Sequence, residues 1–270
     1  MTHGIPYPSD SEFLKYQRLI EESTGIFLPP HKKTLLNNRL SKRLVERSCK
    51  NFSEYFSLIS DSGESHELEM ALELITTNET YFFREPKHFD FLNKVLQQRQ
   101  GDTKTFRVWC AAASTGEEPY TIAMILSESC SSPWELVASD VNEKVLEHAY
   151  KAIYRDDRLS GVSPAFMDKY FLHGIGKYQS HVRITPELRY RVKFLKVNLM
   201  HDFTGMGKFD AIFIRNVMIY FERETQIKVM QRISKCIKPN GYVFVGHSES
   251  LHGVDKEFRM RCPAVYQYGV

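Results

Sequence analysis

Residues 106–125 read FRVWCAAASTGEEPYTIAMI and contain the strongest structural signal in the chain. Side chains alternate over residues 106–110, as is typical of a β-strand, and small residues then lead to Gly116. Apolar residues return at helical spacing over residues 120–124. The pattern predicts a strand, a tight turn and a helix. In an open α/β sheet, such a first turn is where a nucleotide-like ligand meets the carboxyl ends of the strands.

The composition of this turn narrows the ligand class. It contains one glycine, Gly116, followed by Glu117 and Glu118, whereas a dinucleotide site needs several glycines so that backbone N–H groups reach a pyrophosphate. Two carboxylates there would repel a pyrophosphate by on the order of a few kcal/mol at close range. We therefore expect a neutral or cationic ligand, and S-adenosylmethionine fits. The alternative is that both glutamates simply favour the first turn of a helix.

Composition limits the class of protein. The chain has 270 residues, of which 42% are hydrophobic and 13% aromatic, as expected for a globular protein with one large domain or one medium and one small domain. A net charge of +3 is too small to indicate a nucleic-acid partner. The five cysteines are scattered and form no CxxC pair, so we expect reduced thiols and no metal site.

The chain contains no leader-like or membrane-spanning pattern. Residues 1–13 lack an apolar core, and no run of about 18 apolar residues occurs. We therefore expect a cytoplasmic protein that does not insert into the membrane, and we expect it to be a monomer.

The N-terminal part of the chain, residues 1–80, differs from the rest in pattern. Residues 1–64 are predicted to form a small all-α domain, and residues 65–80 a linker whose helix covers 65–75. Residues 81–270 are predicted to form the larger domain. The predicted helices of the first domain cover 12–24, 31–49 and 53–60.

Charge is segregated within this N-terminal part. Residues 31–50 contain seven Lys or Arg and one acid, whereas residues 51–79 contain seven acids and no Lys or Arg. Arg39, Arg43 and Arg47 recur every four residues, so they form one basic edge of a helix. We predict that this edge docks on an acidic protein surface. The alternative is an ordinary solvated face.

Residues 76–88, TTNETYFFREPKH, break the helical period. They place Asn78, Thr80 and Arg84 around the aromatic residues 81–83, just before a helix that starts near Pro86. An aromatic cluster of this kind is often core. Polar groups interleaved with it also suit a wall over an adenosine.

The rest of the chain alternates strands with helices, which predicts a mostly parallel, doubly wound sheet. The second strand ends in Asp140, about 24 residues after Gly116, where an acid can accept hydrogen bonds from ribose hydroxyls. The alternative is that Asp140 is the N-cap of the helix at 143–150. Further predicted segments are an antiparallel β subdomain at 172–194, strands at 192–199, 209–216 and 242–250, a turn at 238–241, and a final hairpin.

Six blocks in order carry a family resemblance: TNETYFFRE (77–85), VWCAAASTGEEPYTIAM (108–124), ASD (138–140), VNL (197–199), FDAIFIRNVMIYF (209–221) and GHSESL (246–251). Together they resemble the CheR family of chemoreceptor protein-glutamate methyltransferases. The similarity runs from about residue 12 to residue 268.

The resemblance implies a class I, Rossmann-like methyltransferase fold behind a helical domain, with a small antiparallel β subdomain. It implies that S-adenosylmethionine methylates glutamate side chains on chemoreceptor helices and leaves S-adenosylhomocysteine. The pocket around the methyl group would fall on Arg84 and Tyr220. The implied cofactor positions are Asn78, Thr80, Arg84, Glu118, Asp140, Asn198, Leu199, Arg215 and Asn216.

Two departures and two rival functions remain. Ala113 stands where many members have cysteine, and Ala152 where a glycine is usual. One rival is a non-enzymatic scaffold that binds the cofactor without methyl transfer. The other is a nicotinamide oxidoreductase, which the missing GxGxxG disfavours. The sequence leaves open whether the β subdomain binds a receptor's C-terminal tether peptide.

Overall fold

The computed structural model describes residues 6–269, and these separate into two compact units. Residues 1–5 of the predicted domain 1–64, and the last residue of the predicted domain 81–270, lie outside the described residues.

The first unit is all-α, as predicted. Its helix α1 begins with a capping box formed by Ser9 and Glu12 and ends at Gly25, which has a φ of 77°. Tyr16 fastens the bundle because its buried hydroxyl donates to the carbonyl of Phe52 at 2.8 Å. The helices of this unit are α1 (Asp10–Thr24), α2 (Lys33–Glu46), α3 (Phe52–Ile59) and α4 (Ser65–Ile75).

The boundary between the units differs from the predicted one. Helix α4 has the predicted extent, but it packs inside the first unit, where Ala71 and Ile75 are buried in the helical core. The division therefore comes after Thr77 and not at residue 64. Residues Tyr220–Glu222 also belong to the first unit, since the N–H of Phe27 donates to the carbonyl of Tyr220 at 2.8 Å.

The second unit contains two sheets and six α-helices among the described residues. Its helices are α5 (Lys87–Gln97), α6 (Glu117–Ser129), α7 (Glu143–Lys151), α8 (Pro164–Tyr170), α9 (Pro186–Arg189) and α10 (Arg223–Cys236). Its strands are β1 (Phe106–Cys110), β2 (Trp134–Asp140), β3 (Ile153–Arg155), β4 (Phe171–His173), β5 (His181–Ile184), β6 (Val192–Lys196), β7 (Phe209–Phe213), β8 (Ile237–Phe244), β9 (Phe258–Cys262) and β10 (Val265–Tyr268).

The main sheet has seven strands in the order β6-β2-β1-β7-β8-β10-β9. The first five are parallel, and β10 and β9 add antiparallel at the edge. This confirms the mostly parallel sheet and the final hairpin. Cys110 of β1 pairs with Ala138 of β2 on one side and Phe213 of β7 on the other. The strand order reverses at β1, so the carboxyl ends of β1, β2 and β7 border the crevice where α/β sheets bind ligands.

The antiparallel β subdomain exists, but its predicted extent is wrong. The small sheet has the order β3-β5-β4, so it starts at Ile153 and ends at Ile184. Residues 192–194 belong to β6, which pairs parallel with β2 in the main sheet. Strand β3 is only three residues long, which is too short for a readable alternation of side chains.

Strand β8 also differs from its prediction. It begins at Ile237 and includes the predicted turn at 238–241, where Asn240 has a φ of 62° and the pairing with β7 shifts register. It ends at Phe244, whereas the predicted strand continued to residue 250. Over residues 6–269, every helix is too short or too polar to span a bilayer.

Candidate functional site

The turn after β1 forms as predicted and is fixed at both ends. The N–H of Ala113 donates to the carbonyl of Ser139 at 2.8 Å, and Gly116 has a φ of 100° at the start of α6. A Cβ atom at Gly116 would lie 2.7 Å from the hydroxyl of Tyr154 and 2.8 Å from the Cβ of Ala149. Both the backbone angle and the close approach therefore require glycine.

Asp140 ends β2 beside this turn. Its Oδ2 accepts from the N–H of Ser114 at 2.9 Å, and its Oδ1 from the N–H of Asn142 at 3.0 Å. The N-cap of α7 is Asn142, whose side chain accepts from the N–H of Val145, so the N-cap alternative for Asp140 is wrong. Burial raises the pKa of Asp140, although the backbone N–H groups oppose it. The carboxylate keeps acceptor capacity for ribose hydroxyls.

Glu118 lies in a buried ion cluster and not at a bare carboxylate site. Its Oε2 pairs with Nη1 of Arg215, and its Oε1 accepts from the thiol of Cys110 at 3.3 Å. Glu117 is also buried, and its carboxylate accepts from the hydroxyl of Thr115 at 2.6 Å. Burial raises the pKa of both carboxyl groups. The predicted repulsion of a pyrophosphate assumed two free charges, and the pairing with Arg215 offsets one of them.

Arg215 joins this cluster to the segment before α5. Its side chain is fully buried, and Nη2 donates to the carbonyl of Arg84 at 2.5 Å and to Oε2 of Glu85 at 3.0 Å. Burial alone raises the pKa of Glu85, but Arg215 and the N–H of His247 outweigh it and hold that pKa below its usual value. Arg215 therefore fixes the backbone at Arg84.

The backbone around Arg84 is strained. Phe83 and Glu85, which flank it, have φ values of 57° and 59°, and such non-glycine conformations cost about 1–3 kcal/mol each. The N–H of Phe83 donates to the hydroxyl of Thr121 at 3.2 Å, which holds the segment on α6. The guanidinium of Arg84 donates to the carbonyl of Glu79 at 2.8 Å. Strain of this kind is typical of functional sites.

Asn78 and Thr80 lie earlier in the same segment. The carbonyl of Asn78 accepts from the hydroxyl of Ser114 at 3.0 Å, so it adjoins the turn after β1. Thr80 is buried, and its carbonyl accepts from Arg158 at 3.3 Å.

Two predicted residues follow β6. The side chain of Asn198 accepts from the N–H of Met200 at 2.9 Å, and the carbonyl of buried Leu199 accepts from Arg232 at 3.1 Å. The N–H of Val197 donates to the carbonyl of Asp140 at 3.0 Å, which ties this loop to the end of β2.

Sequence reasoning missed Glu249, which organises the loop after β7. Its Oε2 accepts from the N–H of Asn216 at 2.8 Å and from the N–H of Gly246 at 2.5 Å, and its Oε1 from the N–H of Ile219 at 3.2 Å. Burial raises its pKa, against these donors. Asn216 has a φ of 56°, which this carboxylate helps to hold. An acid just after an apolar strand is the signal that the sequence offers for it.

All nine predicted cofactor residues belong to the second unit, whereas Tyr220 belongs to the first. The strand order places the loops after β6, β2, β1 and β7 along one edge, and hydrogen bonds from Ser114 and Arg215 attach the segment with Asn78 and Arg84 to it.

Two of the predicted receptor-binding arginines contact acids of their own unit, and the third contacts a backbone carbonyl. Arg43 donates to both oxygens of buried Glu67, at 2.9 Å and 2.5 Å, and Arg47 pairs with Glu64 at 2.8 Å. Arg39 donates to the carbonyl of Leu74 at 2.8 Å. The segregated charges of the sequence thus meet within the helical bundle. Arg39 and Arg47 remain exposed, whereas Arg43 is half-buried.

Comparison with known proteins gives consistent matches. Residues 78–266 match the family described as "CheR methyltransferase, SAM binding domain", and residues 11–76 match "CheR methyltransferase, all-alpha domain". The chain is 40% identical over 262 residues to a chemotaxis protein methyltransferase of Escherichia coli, covering 96% of this chain and 91% of that one. It is 38% identical over 244 residues to chemotaxis protein methyltransferase 2 of Pseudomonas aeruginosa, covering 89% and 86%.

Among solved structures, TrmN from Thermus thermophilus aligns with a TM-score of 0.40 at 17% identity, over 66% of this chain and 45% of that one. The family matches cover nearly the whole chain, and their boundary falls where the structure divides the units. The predicted cofactor is confirmed as S-adenosylmethionine, and the chain belongs to the CheR methyltransferase family.

Proposed function

We propose that the chain transfers the methyl group of S-adenosylmethionine to glutamate side chains of chemoreceptors during chemotaxis adaptation. The products are glutamate methyl esters and S-adenosylhomocysteine. The observation that carries the proposal is the placement of Arg84. It lies between two strained residues, and its carbonyl accepts a hydrogen bond from Arg215, one of the predicted cofactor residues.

The residues at this edge fit the cofactor. Asp140 retains acceptor positions for ribose hydroxyls, and the single glycine of the turn suits a ligand without a pyrophosphate. When bound, S-adenosylmethionine supplies a methyl group that is already activated by its positive sulfur.

Methyl transfer to a glutamate requires the chain to align the two reactants, and it requires no proton transfer. A glutamate acceptor is ionised at pH 7, so one of its oxygens can attack directly. The new O–CH3 bond forms as the S–CH3 bond breaks, and the electron pair of the broken bond stays on sulfur. No general base is needed. Alignment of the reacting groups can supply up to about 7–11 kcal/mol of the barrier reduction.

We assign two residues to this alignment. Arg84 holds the acceptor carboxylate, or the cofactor near it, by charge-assisted hydrogen bonds. The hydroxyl of Tyr220 orients an acceptor oxygen; this role rests on the family resemblance.

The receptor contact is assigned to the basic edge of α2, formed by Arg39, Arg43 and Arg47. Receptor methylation regions are rich in glutamate and glutamine, so a basic helix complements them. The methylated helices of a chemoreceptor lie in the cytoplasm, so the same assignment places the chain there. That the chain is a monomer stays a prediction.

Mass spectrometry of a receptor cytoplasmic fragment tests the proposal. After incubation with the chain and S-adenosylmethionine, peptides containing the target glutamates should gain the mass of one CH2. A matched fragment with those glutamates replaced by alanine should gain none. Modification of lysine or of the N-terminus, with glutamates unchanged, would overturn the choice of acceptor. Tight cofactor binding without any modification would support the scaffold alternative.

A further inference from the structure

Glu85, His88 and His247 form a cluster that the proposed methyl transfer does not use. One potential ligand atom from each residue lies within 4.8 Å of the other two. Glu85 precedes α5, His88 lies in its first turn, and His247 follows β8. Among residues 6–269 this is the one group of His, Cys, Asp and Glu side chains with such spacing.

His88 has an unusual environment for a polar side chain. It is 1% exposed, and neither of its ring nitrogens has a hydrogen-bond partner among the residues that the structure describes. Its ring lies 5.0 Å from the ring of His247 and 5.9 Å from that of Phe244, centroid to centroid. Buried polar atoms nearly always have a partner, whether protein, water or an ion, so this imidazole has a ring nitrogen available to a ligand.

The separation of Glu85 and His88 suits two ligands of a small tetrahedral ion. Zinc bonds of about 2.0–2.2 Å to nitrogen and oxygen place two tetrahedral ligands about 3.4 Å apart. Nδ1 of His88 lies 3.5 Å from Oε2 of Glu85. That oxygen also accepts from Arg215 at 3.0 Å, and Oε1 accepts from the N–H of His247 at 3.2 Å. A carboxylate has about four acceptor positions, so these contacts leave capacity for an ion.

Charge around the cluster sets a further condition. The positive charge of Arg215 repels a metal ion at Glu85. Arg215 also pairs with Glu118, so it does not neutralise Glu85 alone. His247 is exposed, which gives an ion access to the cluster and leaves an open side for a fourth ligand. Two imidazoles and one carboxylate favour zinc-like ions over Mg²⁺ or Ca²⁺, which take oxygen ligands.

We propose that Glu85, His88 and His247 bind a divalent transition metal ion of the zinc class. Sequence spacing gives no reason to expect this site, because the first two ligands flank the start of α5 whereas the third follows β8. The proposal is independent of methyl transfer, since metal uptake is measured without receptor or cofactor.

The test is titration of the full chain, first stripped of metal with a chelator. Zn²⁺ is followed by calorimetry and Co²⁺ by its visible absorption, which distinguishes tetrahedral from octahedral coordination. We expect one equivalent of Zn²⁺ to bind and Co²⁺ to give a tetrahedral spectrum. Loss of an outer-shell partner weakens metal binding by about 10- to 100-fold. His247→Ala removes a direct ligand, so it should weaken Zn²⁺ binding by at least that factor.

His252→Ala is the matched control, because His252 is also exposed and lies in the same loop after β8. It should leave binding unchanged. His88→Phe keeps a buried ring and should abolish the tetrahedral Co²⁺ spectrum; if that variant does not fold, His247→Ala alone decides. Absence of stoichiometric uptake by the wild-type chain, or uptake that His247→Ala leaves intact, would overturn the proposal.

Discussion

Asp140 shares its carboxylate between the chain and the proposed ribose contact. Two backbone N–H groups occupy part of it, so an amide at this position can preserve some local structure. Asp140→Asn should raise the dissociation constant for S-adenosylhomocysteine about 10- to 100-fold, since hydrogen bonds to a charged group contribute about 1.5–3 kcal/mol. Calorimetry measures it. Asp202→Asn, at an exposed aspartate in another turn, should have no effect. Equal affinities for both variants would refute the ribose role.

Variants of Arg84 and Tyr220 distinguish an effect on the methylation rate from an effect on cofactor affinity. Arg84→Ala should lower the methylation rate by about 100-fold or more, as expected when one charge-stabilising donor is lost. Tyr220→Phe removes only a hydroxyl, so it should slow methylation while leaving the affinity for S-adenosylhomocysteine unchanged. Rates at saturating cofactor measure both effects. Wild-type rates in both variants would remove these residues from the mechanism.

The residues missed by sequence reasoning share one property. Glu85, His88 and Glu249 acquire their roles from partners in distant parts of the chain, such as Arg215, His247 and the N–H of Asn216. Local pattern does not encode such pairs. The positions of Asp140 and Gly116, by contrast, follow from a strand end and a turn, which local pattern does encode.

At the level of elements, long periodic segments are predictable and short ones are not. Helix α4 has the predicted extent, and β1, β2, β6 and β7 follow their apolar runs. Strand β3 has no local signal, because it is very short and its partner β5 follows only after α8 and β4. The role of α4 also differs from the predicted one. A charged, amphipathic segment can link two domains or pack within one, and the buried contact between Glu67 and Arg43 selects the second.

Glu67 ties α4 to α2, and its effect on stability depends on pH. Burial alone raises its pKa, but Arg43 and Tyr55 outweigh that and hold it below the ordinary value of 4.5. Because the folded pKa is the lower one, the stabilisation is present above about pH 4.5 and is lost as the pH falls through the folded pKa. Glu67→Gln should therefore reduce the free energy of unfolding by about 1–2 kcal/mol at pH 7, and by less at pH 4.

Unfolding followed by far-ultraviolet circular dichroism at both pH values measures this difference. Glu64→Gln provides the control, since its pair with Arg47 is about one-third exposed on each side and should contribute less than about 1 kcal/mol. A similar loss in both variants at pH 7 would show that the buried pair is not special.

The basic edge of α2 can be tested without disturbing that pair. Reversing Arg43 would leave Glu67 buried without its partner, and Arg47 also pairs with Glu67 at 3.5 Å, so the better variant is Arg39→Glu alone. It should raise KM for the receptor, most strongly at low salt, because surface charges act mainly on association. Affinity for S-adenosylhomocysteine should not change. Lys50→Glu, an exposed reversal beyond α2, is the control. If receptor methylation and the affinity for S-adenosylhomocysteine fell equally, the variant would be misfolded and the docking role would be unsupported.

For the whole molecule, the sequence predicts two units because helical patterns fill the chain up to Ile75 and the α/β alternation begins later. It does not predict that Tyr220–Glu222 return to the first unit. That return depends on backbone contacts, such as the bridge between Ile26, just after α1, and Phe221, just before α10. Contacts between such distant parts of the chain have no local signature in one sequence.

Base-labile methanol is the most direct readout of the proposed reaction, because methyl esters hydrolyse in alkali whereas methylated amines do not. The full chain is incubated with methyl-labelled S-adenosylmethionine and a chemoreceptor cytoplasmic fragment, and the volatile label is counted after alkali. We predict release of labelled methanol with the wild-type chain and very little with Arg84→Ala. Label that stays on the fragment after alkali, or no transfer by a chain that binds the cofactor tightly, would contradict glutamate methylation.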